Sequence, residues 1–174
     1  MKRKKQNRKT VHIYHYSLID VMMASPSEPL PSRHRVHQLT RMHQGLDALE
    51  KSPHPTRDDW RVVSDAVNIM ETFITQGPWL DCDGDSVEIT DASGLLSDAV
   101  QALATAGRRY KAGGNIRLDG AGIQAVRAVL ADYGDLLDAL PARTMLQAHR
   151  KTEIRIREIL DGKKRPHDVE VMDL

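Results

Sequence analysis

TRDDWRVVSDAVNIMETFITQGP, residues 56–78, decides the fold class. It opens on Thr56-Arg-Asp-Asp59, a capping-box pattern in which Asp59 stands where Glu is usual. Trp60, Val63, Val67, Met70 and Ile74 then recur at steps of three and four, with Ala66 and Phe73 beside them. That period lays an apolar stripe along a helix. Gly77-Pro78 supplies the stop. The stretch predicts an amphipathic helix to about Gln76 with its inner face in a core.

The same pattern repeats on both sides. A helix is expected from about Arg33 to Lys51, with Ser32 as N-cap and Val36, Leu39, Met42, Leu46 and Leu49 on one face. SPHP ends it. Downstream, GPWLDCDGDSVEI reads as a loop with a short strand at Val87–Ile89. A third helix is predicted from about Asp91 to Ala112, carrying Leu95, Leu96, Ala99, Val100, Leu103 and Ala106, and closed by Gly113-Gly114. Asp119 caps a fourth, with Ile123, Val126, Val129, Leu130, Tyr133, Leu137 and Leu140 as its face. PARTMLQAHRKTEIRIREILDGKKR, from Pro141, makes the fifth. Upstream, TVHIYHYSL reads as a short strand or extended arm, LIDVMMA as an added helical turn, and proline-rich SPSEPLPS as an extended linker. VEV near the C-terminus alternates and could pair with VHIYH. The expectation is a mostly α chain: a compact bundle of about five helices, a basic N-terminal arm, and a short two-stranded β ribbon formed by the termini. Residues 1–10 form a basic tail, 11–31 an extended arm and linker, 32–162 the bundle and 163–174 a C-terminal tail.

Composition agrees. A chain of 174 residues suits one domain. Only 4% of it is aromatic, so Leu, Ile, Val, Ala and Met must build the core, a palette that favours helices. A single cysteine, Cys82, allows no internal disulfide and no Cys-based zinc site, which points to a reducing cytoplasm. No apolar run approaches the ~18 residues of a membrane span, and polar breaks in VHIYHYSLIDVMM argue against a signal peptide.

The net charge of +1 hides an asymmetry. Residues 1–10 carry six basic and no acidic residues, while 45–140 carry eight basic and sixteen acidic ones. A globally basic nucleic-acid binder is excluded, but basic ends on an acidic body are not. Lys2, Arg3, Lys4, Lys5, Arg8 and Lys9 lead into His12, Tyr14 and Tyr16, which share a face if the segment is extended. Cations feeding a stacking platform suit single strands or a groove. The plainer alternative is a solubilising tail followed by an edge strand.

On the fifth helix Met145, His149, Thr152, Ile156, Ile159 and Leu160 form the apolar stripe. Arg143, Arg150, Arg157 and Lys164 recur every seven residues on the other side, with Ile154 among them. This is either a solvated face or a phosphate-contacting interface with Ile154 as its apolar centre. Glu153 precedes Arg157 by four and provides local helix support.

Arg143 and His149 stand in R-x5-H spacing. This resembles the R-x4–6-H motif of HEPN ribonucleases, which are compact helical bundles working as dimers. The resemblance implies that Arg143 stabilises phosphate charge and His149 moves a proton during RNA cleavage. The competing reading is a core histidine with a hydrogen-bond partner.

DDWRVVSDAVNIMETF and IRLDGAGIQAVRAVLADY are similar to stretches of small uncharacterised proteins encoded in phages and prophages. That texture, over most of residues 30–162, implies a regulator or inhibitor that works by binding. It brings no site residues.

Other clusters fall to simpler explanations. His34, His37 and His43 lack acidic or Cys companions at zinc spacing. Asp81, Asp83 and Asp85 misplace the glycine of a calcium loop and read as a solvated turn. The glycines of AGGNIRLDGAGIQAV are not followed by GK[ST] and read as a helix cap and a loop. Neither a metal nor a cofactor is called for. The leading expectation is a non-enzymatic binding protein that contacts nucleic acid or a protein partner through its basic ends, compatible with a homodimer. The alternatives are an accessory inhibitor docking through its acidic body and a HEPN-like ribonuclease.

Overall fold

The computed structural model describes residues 16–161. It contains α1 (Leu18–Met23), α2 (Ser32–Lys51), α3 (Arg57–Thr75), strands β1 (Trp79–Leu80) and β2 (Ser86–Val87), α4 (Leu96–Lys111), α5 (Gly120–Ala139) and α6 (Ala142–Leu160). The chain is mostly helical and forms a helical bundle with a short β ribbon. Of the six helices among the described residues, α1 is the helical turn expected at LIDVMMA. The ribbon is antiparallel, with Trp79 opposite Val87 and Leu80 opposite Ser86. The segments expected to make a terminal ribbon, VHIYH and VEV, lie outside the described residues.

The centre of the bundle is α3, which packs against α2, α4, α5 and α6. Its sequence explains why. Trp60, Val63, Ala66, Val67, Ile69, Met70, Thr72 and Phe73 are all buried, so the apolar surface spreads beyond one stripe and needs neighbours on several sides. Each large side chain so buried contributes on the order of 1.5–3 kcal/mol. The capping box forms: the Asp59 amide donates to Thr56 Oγ1 at 3.2 Å, and the Thr56 amide donates to Asp59 Oδ2 at 2.8 Å. Both indoles satisfy their N–H groups in the core, Trp60 on Leu103 O at 3.0 Å and Trp79 on Phe73 O at 2.7 Å.

α2 approaches α3 through Gly45, where a Cβ would stand 2.9 Å from the Asp59 carbonyl oxygen. The backbones are too close there for any side chain. α4 ends where Gly113 takes φ of 88°, the left-handed cap expected of it.

Three local expectations shift. α4 begins at Leu96 rather than near Asp91, because the Asp91 carboxylate organises a turn, accepting from Ser93 Oγ and from the amides of Gly94 and Leu96. Pro31, not Ser32, is the N-cap of α2. Val36, read as core, is 62% exposed, and the buried face of α2 is Gln38, Met42, Gly45, Leu46 and Leu49.

Candidate binding surface

α6 makes its contacts in order along its length. Thr144 Oγ1 donates to Leu80 O at 2.7 Å, tying the ribbon to its first turn. Lys151 Nζ donates to Gln76 O at 3.1 Å and sits 4.3 Å above the Trp79 ring. Thr152 Oγ1 meets Thr72 Oγ1 at 2.7 Å, and Arg155 pairs with Glu71 at 2.6 Å. α6 therefore runs antiparallel to α3. Its first half is buried more completely than its second: Met145, Ala148, His149 and Thr152 are core, Ile156 and Ile159 are half-buried, and Leu160 is exposed.

α1 is fastened to the start of the same helix. Arg143 donates through Nε to Ala24 O at 3.2 Å and through its terminal nitrogen to Met22 O at 3.1 Å. Those carbonyls end α1 and have no partner within it, so the guanidinium acts as a C-cap delivered from another helix. Two backbone bonds extend the seam, Arg143 N–H to Ser25 O at 2.9 Å and Ala142 N–H to Glu28 O at 2.7 Å. The other end of α1 is closed by a Ser17–Asp20 capping box, whose Ser17 bonds hold the Asp20 carboxyl below its usual range. Just beyond it, Tyr16 packs edge-on against His149, with ring centroids 5.4 Å apart. α1 thus lies antiparallel to the first half of α6.

His149 is a core residue, 2% exposed. Its Nε2 shares a 3.1 Å hydrogen bond with the Tyr133 hydroxyl. Burial pushes its pKa down to about 4, so the ring is neutral at pH 7. Arg143 and His149 do not come together: six residues on a helix place them about 120° apart, and each engages a different neighbour. Asp65, on α3, is moved in the opposite direction. Burial raises its carboxyl to about 7, against the pull of Arg61 and Arg41.

The basic stripe is largely committed within the fold. Arg143 caps α1, Arg157 pairs with Glu153, and Lys151 and Arg155 reach α3 and its C-terminal turn. Arg150 remains half-buried beside exposed Ile154. Of the arm residues, Lys2, Arg3, Lys4, Lys5, Arg8, Lys9 and Tyr14 lie outside the described residues, as does Lys164. Tyr16 is half-buried and packs against the His149 ring.

Two surface features escaped sequence reading. One is the apolar outer face of α1. The other is the approach of the acidic ribbon turn to the end of α5, where Cys82 Sγ donates to Ala139 O at 3.4 Å. Both were detectable as residue types but not as neighbours. Among the described residues, no three His, Cys, Asp or Glu side chains gather as a metal site, and no helix is long and apolar enough to cross a membrane.

No protein-family model, curated protein or solved structure matches the chain. The fold itself defines the class: a small helical bundle whose N-terminal segment is strapped along its last helix.

Proposed function

We propose that the chain is a non-enzymatic binding protein that contacts nucleic acid through its basic N-terminal segment and the outer edge of α6. One observation carries the reading. The Arg143 cap and the Tyr16–His149 contact root the N-terminal segment at the middle of α6, one residue from Arg150. The stretch that carries six cations in residues 1–10 precedes Tyr16 in the chain, and the Tyr16 ring meets His149, the neighbour of Arg150 in sequence. Phosphates gathered there would release counterions, so affinity should fall steeply with salt.

The test is binding of labelled single- and double-stranded nucleic acids across a salt series, by the full chain and by a chain lacking residues 1–10. Salt-steep binding that is lost with the deletion and weakened by Arg150→Glu supports the proposal. No binding at low salt, or binding indifferent to the deletion, overturns it.

A second reading is an accessory inhibitor, of the kind phages encode, docking on a basic host or defence protein. It is favoured by the acidic side, where Cys82, within the ribbon turn of Asp81, Asp83 and Asp85, bonds the end of α5, which bears exposed Asp135 and an Asp138 paired with Arg35. Charge-reversed Asp83 and Asp135 would abolish such docking and leave nucleic-acid binding intact.

A further inference from the structure

The acidic body read from the sequence is acidic at one end only. Of the sixteen acidic residues in 45–140, ten lie in 71–98 and 132–138, on the ribbon, the loop into α4 and the helix ends around them. The eight basic residues of the same span lie on elements that meet at the other end: the end of α2, the first half of α3, the end of α4, the loop behind it and the first half of α5. Trp60 of α3 bonds Leu103 O of α4 there, and Arg127 of α5 pairs with Glu50 of α2 at 2.9 Å. The length of α5 keeps the two ends roughly 30 Å apart. Half of the eight fall in 108–117, inside a run, 99–118, that holds no acid.

That run folds into a corner. After Gly113 the chain turns back over Arg109 so closely that a Cβ on Gly114 would stand 2.8 Å from Arg109 Cγ. Arg109 donates through Nε to Asn115 O at 2.9 Å and through Nη2 to Arg117 O. Arg117 donates to Glu50 O at 2.7 Å, at the end of α2. Carbonyl oxygens thus fix both guanidiniums without neutralising them. Among the described residues no carboxylate pairs with Arg109, Lys111 or Arg117. The acids nearby are engaged: Glu50 pairs with Arg127, Asp47 with Lys51 and Asp58 with Arg61, while Asp59 and Asp119 face helix amides. The dipole of α4 accounts for cations in its last turn. It does not account for Tyr110. Of the six Phe, Trp and Tyr side chains among the described residues, Tyr110 alone is exposed, at 37%. Successive helical residues stand about 100° apart, so Arg109 and Lys111 flank it.

We infer that this corner binds single-stranded nucleic acid, with a base stacked on Tyr110 and the flanking phosphates on Arg109, Lys111 and Arg117. An exposed ring set among cations is the combination that single strands use, since every base offers a flat face and every phosphate a charge. A duplex would meet the cations and leave the ring without a base face. An acidic peptide would match the charge alone. The surface shares its class of partner with the N-terminal contact proposed above but none of its residues.

The test is photo-cross-linking of an iodouracil-substituted oligothymidylate to the full chain, with the attached peptide mapped, followed by affinity across a salt series. Attachment at Tyr110 is expected. Affinity should fall about tenfold in Tyr110→Ala and persist in Tyr110→Phe, which keeps the stacking ring. Lys111→Gln should reduce the salt slope by about one ion. Both positions are exposed, so helical circular dichroism should hold in all three variants. Arg109 and Arg117 hold the loop and stay unchanged. Attachment confined to the N-terminal segment and α6 would overturn this surface and support the earlier contact. Attachment at Tyr110 alone would do the reverse. Three other results would each overturn the inference: affinity unchanged in both Tyr110→Ala and Lys111→Gln, a duplex bound as tightly as the single strand, and polyglutamate bound as tightly as the oligonucleotide.

Discussion

Acidification should leave the stability of this protein nearly level where most proteins weaken, because buried His149 and half-buried Asp65 titrate in opposition. His149 ordinarily protonates near 6.5 but is held at about 4 in the fold. Between those values the unfolded chain binds the proton and the folded chain does not. Its contribution is therefore complete above pH 6.5 and is lost as pH falls toward 4. At about 1.4 kcal/mol per pH unit, the loss amounts to ~3 kcal/mol. Asp65 behaves in the reverse sense. Its carboxyl, normally near 3.8, is raised to about 7, so the folded chain binds the proton first. That contribution is complete below 3.8 and is lost as pH rises to 7, with a formal size of ~4 kcal/mol. Asp65 is only half-buried and faces Arg61 and Arg41, so solvent screening brings its share closer to that of His149.

The measurement is urea denaturation at steps from pH 7 to 4.5, read by fluorescence of the buried Trp60 and Trp79. Wild type should vary little. Asp65→Asn should unmask the histidine and lose about 2–3 kcal/mol on acidification. His149→Gln, which keeps a partner for the Tyr133 hydroxyl, should gain stability over the same interval. Parallel profiles for wild type and His149→Gln would refute the reasoning.

Three further outcomes follow from packing and capping. Gly45→Ala should cost about 1–3 kcal/mol in denaturant titration, since its Cβ meets the Asp59 carbonyl oxygen at 2.9 Å and backbone cannot give way cheaply. Glu71→Ala should cost about 3 kcal/mol, because the Arg155 side chain, 13% exposed, is left charged without its partner, and Glu71→Leu/Arg155→Met should recover most of that loss. Arg143→Ala should speed amide exchange at Val21 and Ala24 at least tenfold while hardly moving the global unfolding midpoint, since it releases α1 and leaves the core intact.

The sequence was sufficient for features written within a few residues of one another. Thr56 and Asp59 form their box, Gly77-Pro78 ends α3, Gly113 ends α4, and periodic apolar residues mark α2 to α6. These depend on local dihedrals and on helix period, which neighbouring residues impose on each other. His149 as a core residue was legible in the same way, from its place in the apolar stripe. Tertiary structure decided where charges and faces end. Arg143 caps carbonyls 119 and 121 residues earlier in the chain, and Arg155 reaches Glu71 84 residues away. Nothing local to either arginine distinguishes it from Arg150. Val36 and Leu160 fit their stripes but lie exposed, because periodicity assigns a residue to a face without saying how far the neighbouring helix extends over it. The pairing of α1 with α6 joined two segments that sequence reading had to treat separately. The physical reason is that burial is a property of packed pairs of helices, and the chain states only one member of each pair at a time.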